Sequence, residues 1–203
     1  MQYDLQTEDS VFQQFKKSVF DLANTLPQWN SEIMDRRVQS AISSLFEETG
    51  ELCGVVSKKR TRKHYYNAIP KELEDFDEIR STFLDETGDL LWIILCSVHC
   101  LIGDDKIIIE ELLNGEDNYC MTFEASLFDI MRDISLLQQC LMFTDNIINI
   151  QVIHSFEDLI LSFKTYLNFL NKEYSINLNE ICEYNMNKLG ARYTKDGQRV
   201  DGK

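Results

Sequence analysis

The sequence is poor in the residues that interrupt regular structure, with two prolines and eight glycines among 203 residues. An all-β fold built of many short strands needs frequent turns, and these two residues are typical of turns. Apolar residues make up 44% of the chain and aromatic residues 11%, which is enough to form a sizeable core. The composition therefore favours an all-α fold over an all-β fold or a disordered chain.

The sequence also lacks a Cys-x-x-Cys pair, although it contains six cysteines. These are Cys53, Cys96, Cys100, Cys120, Cys140 and Cys182. Cys96 and Cys100 flank His99 on one predicted helix and could contact a soft metal, but no second pair accompanies them. We expect reduced thiols that pack as small apolar side chains.

Two further features are missing, a charged leader followed by an apolar stretch and an apolar run of about 18 residues. We therefore expect a soluble cytoplasmic protein that does not enter a membrane. Basic residues are few, with 20 against 34 acidic residues and a formal charge of -14. Such a charge repels nucleic acid, so we expect no nucleic-acid partner.

Acidic residues recur at helical spacing in two places. Residues 38–56 carry an apolar stripe with a period near 3.6, and Glu48 and Glu51 project at one edge of it while Glu47 points further round. The tetrapeptide Glu-Thr-Gly-Glu of this stretch recurs as Glu-Thr-Gly-Asp, which places Glu86 and Asp89 on the matching edge of a second helix. The two pairs can face each other across a helix pair.

Both motifs carry features that weaken a helix. Like charges three residues apart cost a few tenths of a kcal/mol, and Gly50 and Gly88 each cost about 1 kcal/mol. The glycines would let the helices approach closely, and four converging carboxylates would need a hard cation, for which Mg²⁺ fits and Mn²⁺ could substitute. The simpler alternative is a solvated charged face, which two matching copies disfavour.

The most basic segment, residues 57–66, follows the first acidic motif and contains Lys58 and Lys59. It could clamp phosphate groups, or its cations could interact with a helix carboxyl end. Residues 67–78 are predicted to form an acidic connection around Pro70.

The pattern Glu47-Glu48-x-x-Glu51 followed by Glu86-x-x-Asp89-Leu-Leu-Trp92 resembles the MazG-type, all-α nucleoside triphosphate pyrophosphohydrolases, which include dimeric dUTPases and dCTPases. The resemblance implies Mg²⁺-dependent hydrolysis of a (deoxy)nucleoside triphosphate to the monophosphate and pyrophosphate by activated water. It also implies the roles of these acids. Glu48, Glu51, Glu86 and Asp89 would hold the metal, and Glu47 would support them.

The second half of the sequence resembles a degenerate repeat of the first half. Residues 127–134 align with residues 45–52, so that Ile130 replaces Glu48 and Asp133 replaces Glu51, and Asp158 keeps the place of Asp89. We predict one all-α domain over residues 1–203, a MazG-like bundle. It would be a tandem pseudo-dimer of helix pairs with a catalytic half (1–115) and a degenerate half (116–203).

The segment Asn185-Met186-Asn187-Lys188-Leu189-Gly190-Ala191-Arg192-Tyr193 resembles the ending of the same family and has no counterpart in the first half. A single site that combines the acids of the first half with this segment of the second half would explain why each half carries only one of the two features. Alternatively, the segment only caps the last helix. The predicted substrate-binding residues are Lys58, Lys59, Asn185, Lys188, Arg192 and Trp29. Trp29 is either a stacking platform or a hydrophobic plug.

The partner implied is a nucleoside triphosphate, and a homodimer stays open. The alternative function is a non-catalytic nucleotide-binding sensor or interaction module on the same fold.

Overall fold

A computed structural model describes residues 10–65, 74–103, 106, 108, 112, 122–143, 150–193 and 200, and within these the side chains of 58–65 and 74–76 are left out. The regular structure in this part of the chain is helical, and the all-α prediction is confirmed there. The helices are α1 (Val11–Ala23), α2 (Met34–Tyr65), α3 (Glu74–Leu101), α4 (Phe123–Phe143), α5 (Ile150–Tyr174) and α6 (Leu178–Arg192).

Four long helices form two hairpins. Helix α2 packs along α3 and α4 along α5, and the hairpins meet mainly through α2 and α4. A buried hydrogen bond of 2.8 Å between the hydroxyl groups of Thr87 on α3 and Tyr166 on α5 also links them. Both side chains are fully buried, so this bond fixes α3 against the second hairpin in a place without competing water.

The first and last helices lie on the first hairpin. Helices α1 and α6 both pack against α3 and against each other. Apolar residues recur along α1 at helical spacing, and Phe12, Phe15 and Val19 among them are fully buried. Helix α6 begins with a capping box in which Asn177 and Glu180 satisfy each other's backbone N–H groups. The packing of α6 along α3 places it beside the acidic residues of α3.

The connection predicted over residues 67–78 is wrong at its carboxyl end. Helix α3 already begins at Glu74, while residues 66–73 lie outside the described part of the chain. Acidic residues are favourable in the first turn of a helix, and Glu74, Asp75 and Asp77 stand in the first turn of α3.

Five cysteines are free thiols, of which Cys96 and Cys182 are buried and Cys53, Cys100 and Cys140 are half-buried. Burial raises the pKa of the Cys96 thiol well above its usual value, as expected of an unreactive core residue. Cys120 is outside the described residues. In the helices that can be described, no segment is long and apolar enough to cross a membrane.

Candidate functional site

Three carboxylates meet where α2 packs along α3. Glu48, Glu51 and Glu86 each offer an oxygen atom, and these oxygens all lie within 4.8 Å of one another. Glu48 and Glu86 are half-buried, and Glu51 is exposed. The cluster is therefore open to solvent on one side and enclosed by the hairpin on the other.

The threonines of the repeated Glu-Thr-Gly motif explain how these acids are aimed. Thr49 and Thr87 are both fully buried. The Thr49 hydroxyl donates a 2.7 Å hydrogen bond to the carbonyl of Leu45, and the hydroxyl of Thr87 is bonded to Tyr166. Because each threonine faces the core, the neighbouring glutamates are placed at the edge of the helix contact.

The proximity of these carboxylates changes their acidity. Burial, followed by the charges of Asp89, Glu51 and Glu47, raises the pKa of Glu48 to about 7. Burial, followed by a hydrogen bond with Glu51 and that residue's charge, raises the pKa of Glu86 to about 8. At neutral pH the cluster therefore retains protons that a bound cation would displace.

Asp89 lies next to this cluster but is already engaged. Its Oδ1 accepts a 2.9 Å hydrogen bond from Nδ2 of Asn185, and its Oδ2 accepts one from Nζ of Lys188. The predicted convergence of four carboxylates therefore appears here as a group of three, with Asp89 turned towards α6. The charge of Asp89 still raises the pKa of Glu48, so the four remain electrostatically linked.

Lys188 is the cation that the fold itself brings to the acids. Its side chain is 12% exposed, and its Nζ also lies 2.5 Å from Oδ1 of Asp85. Burial lowers the pKa of Lys188, but the hydrogen bonds to Asp85 and Asp89 outweigh this effect and raise the pKa above its usual value. Lys188 is therefore charged at neutral pH.

The two motif glycines differ in what surrounds them. A Cβ at Gly88 would lie 2.6 Å from Nδ2 and 3.0 Å from Cβ of Asn185, so α6 can approach only because this side chain is absent. A Cβ at Gly50 would meet nothing within 4 Å. The prediction that the glycines let the two acidic helices approach closely is wrong at Gly50, and at Gly88 the close approach is to α6 and not to α2.

The other predicted site residues are dispersed. Glu47 is exposed beside the cluster, and Arg192 is exposed one turn beyond Lys188. Trp29 is 2% exposed and belongs to the hydrophobic core. Of the two roles that the sequence left open it therefore has that of a hydrophobic plug, and the predicted stacking on a base is wrong. Lys58 and Lys59 lie on α2, outside the described side chains.

Sequence reasoning missed Asp85. Its spacing of four residues from Asp89 puts both on one face of α3, and this spacing was the available signal. Asn185 Oδ1 and Trp92 Nε1 are buried and have no hydrogen-bond partner in the described part of the chain.

The aligned acids of the second hairpin have their own cation. Asp133 is 2% exposed and accepts hydrogen bonds from Arg132 Nε at 2.8 Å and from Ser162 Oγ at 2.6 Å. Arg132 also contacts Asp129 at 2.7 Å. Burial, followed by the charge of Asp133, raises the pKa of Asp158. Asp129 and Asp133 are therefore paired with Arg132 within the hairpin, and the described part of the chain holds no group of acids there like that of the first hairpin.

Comparison with protein-family models, curated proteins and solved structures gives no match for this chain. What the cluster can bind is therefore judged from its donor atoms. All are carboxylate oxygens, the ligands that Mg²⁺ and Mn²⁺ prefer, whereas Zn²⁺ sites generally include histidine or cysteine. The donor set fits a hard divalent cation.

Proposed function

We propose that this chain is an Mg²⁺-dependent nucleoside triphosphate pyrophosphohydrolase of the MazG-like kind. It would convert a (deoxy)nucleoside triphosphate to the monophosphate and pyrophosphate. The observation that carries the proposal is the grouping of Glu48, Glu51 and Glu86 with oxygens within 4.8 Å of one another. Its two hairpins would form a tandem pseudo-dimer with one active site, in a cytoplasmic protein.

Glu48, Glu51 and Glu86 would hold the cation, and Asp89 would complete the set given by the two motifs. Mn²⁺ could replace Mg²⁺, since both accept oxygen ligands. When bound, such a cation supplies a Lewis acid that neutralises phosphate charge and makes water more acidic. The raised pKa values of Glu48 and Glu86 support this assignment, because carboxylates crowded in this way gain most from a positive charge.

Residues of α6 would act on the triphosphate. Lys188 already lies at the acids and would place its ammonium group beside phosphate oxygens, and the exposed Arg192 one turn further along would add a second positive charge. Asn185 holds Asp89 in place through its amide group. The exposed Glu47 would orient the attacking water. Attack at the α-phosphorus would break its bond to the bridging oxygen, and pyrophosphate would leave.

The direct test is to incubate the purified protein with a panel of ribo- and deoxyribonucleoside triphosphates in Mg²⁺ or Mn²⁺ and to separate the products. We expect monophosphate and pyrophosphate in equal amounts from at least one substrate. Release of orthophosphate and a nucleoside diphosphate would indicate that a different bond is cleaved. Absence of turnover with every nucleotide would contradict the enzymatic proposal.

One observation favours a second function, a nucleotide-binding sensor without hydrolysis. Both carboxylate oxygens of Asp89, a residue of the catalytic motif, are occupied by Asn185 and Lys188. A protein that kept this arrangement would bind nucleotide but lack the full set of metal ligands. The two functions are distinguished by the same panel: nucleotide-dependent thermal stabilisation without any monophosphate would support the sensor.

A further inference from the structure

Lys188 is shared by two aspartates of α3 that differ in their relation to the proposed site. Asp89 belongs to the motif expected to bind a cation, and Asp85 does not. Nζ of Lys188 lies 2.5 Å from Oδ1 of Asp85 and also donates to Oδ2 of Asp89. The aspartates are one helical turn apart, so a single ammonium group contacts both.

A divalent cation and Lys188 compete for Asp89. Oδ1 of Asp89 is already bonded to Asn185, so Oδ2 is the oxygen that a cation would take from Lys188. The side chain of Lys188 is only 12% exposed, and removing the carboxylate partner of a largely buried ammonium group is unfavourable. Cation binding at Asp89 therefore depends on what else holds Lys188.

Helix α6 is not free to move Lys188 away from Asp89. Asn185, three residues earlier on α6, is fully buried and sits in the space that the missing Cβ of Gly88 leaves. This contact places the helix backbone against α3. A shift of the Lys188 side chain towards Asp85 is the shorter movement, because that carboxylate is already in contact.

We propose that Asp85 is a positioning residue that retains Lys188 at the site when Asp89 binds a divalent cation. The inference rests on the proposed function, since it requires a cation at Glu48, Glu51 and Glu86. With Asp85 present, Lys188 keeps a carboxylate partner and stays next to the bound phosphates. Without it, Asp89 is the only carboxylate that contacts Lys188, and this contact weakens the binding of the cation.

The test is a double-mutant cycle on Mn²⁺ binding, measured from the electron paramagnetic resonance signal of free Mn²⁺ in the absence of nucleotide. The proteins are the wild type, Asp85→Asn, Lys188→Met and the double variant. Asp85→Asn should weaken Mn²⁺ binding about tenfold, a coupling typical of residues in contact. Lys188→Met should strengthen binding, and in that background Asp85→Asn should change it less than about twofold.

Two controls accompany the cycle. Asp77→Asn removes the same charge from an exposed position two turns earlier on α3 and should leave Mn²⁺ binding unchanged. Circular dichroism checks that each variant is folded, and Lys188→Gln replaces Lys188→Met if the latter is not.

An equal effect of Asp85→Asn with and without Lys188 would overturn the positioning role, because it would reflect only the loss of a nearby negative charge. That result leaves the proposed function intact if Glu51→Gln still abolishes Mn²⁺ binding. Mn²⁺ binding that does not depend on Glu51 would overturn both.

Discussion

The two long hairpins both bring acidic side chains together, but they neutralise them in different ways. In the α4/α5 hairpin, Arg132 contacts Asp129 and Asp133, and Ser162 donates a further hydrogen bond to Asp133. In the α2/α3 hairpin, no ion pair to Glu48, Glu51 or Glu86 is formed by the side chains that the structure describes.

A single aligned position shows the difference. Arg132 stands where the first hairpin has Gly50, and its guanidinium reaches acids on both sides. An internal cation makes a stable cluster that needs no ligand, whereas a cluster without one favours protons or an external cation. The comparison therefore supports the proposed metal site in the first hairpin and a structural role for Asp129 and Asp133 in the second.

The largest expected effect comes from removing a carboxylate of the first hairpin. Glu51→Gln should lower pyrophosphate release by about 100-fold or more, because one charged group at the reacting centre is lost. Asp158→Asn removes a carboxylate from the second hairpin and should leave turnover near that of the wild type. Equal losses in both variants, measured as initial rates, would remove the functional distinction between the hairpins.

Removing the internal cation should affect stability and not metal binding. Arg132→Met leaves Asp133 buried with Ser162 as its remaining partner, and should lower the free energy of unfolding by about 2 kcal/mol. Glu51→Gln relieves repulsion in the metal-free protein and should be neutral or slightly stabilising. Urea unfolding followed by circular dichroism measures both. A destabilising Glu51→Gln would show that the first cluster is already neutralised.

The two motif glycines provide a smaller and opposite pair of effects. Gly88→Ala places a Cβ against Asn185 and should destabilise the protein by about 1 kcal/mol while weakening the contact of α6 with α3. Gly50→Ala meets no neighbour and should stabilise α2 by about 1 kcal/mol. Both are measured by chemical unfolding. Destabilisation by Gly50→Ala would restore the close-approach role that the structure denies it.

The last expected effect concerns the pH dependence of stability. The pKa values of Glu48 and Glu86 rise in the folded protein from 4.5 to about 7 and about 8. Between pH 4.5 and pH 8 the native state therefore binds more protons than the unfolded state. The resulting stabilisation is fully present below pH 4.5 and is lost as the pH rises through 7 and 8. Without metal, the melting temperature should fall by a few degrees from pH 5 to pH 8, and Mg²⁺ should restore it at pH 8. In Glu48→Gln this dependence should be reduced.

Local features of the structure were accessible from the sequence. Apolar residues recur at helical spacing in the segment that forms α1, and the repeated Glu-Thr-Gly motif predicts that acids from two helices meet. Both follow from the period of the α-helix, which acts within a few residues of the chain. The role of Trp29 stayed open because a residue on a connection has no periodic pattern to orient it.

Contacts between distant residues were not accessible in the same way. Lys188 and Asp85 are 103 residues apart, and their contact depends on how α6 is placed by α1, α3 and Gly88. The resemblance of the C-terminal segment suggested that it contacts the acidic residues of the first half, but not that Lys188 would form a hydrogen bond with Asp89. Asp85 was overlooked because its partner lies on another helix.

The sequence by itself determined the helical class of this protein and the two acidic motifs, because composition and periodicity act locally. Only the tertiary structure decided how those acids are neutralised. It brings Glu48, Glu51 and Glu86 together and bonds Asp89 to Lys188 and Asn185. In the second hairpin it pairs Asp133 with Arg132. Charge interactions depend on distance and burial, and both are set by the packing of helices that are remote in the chain.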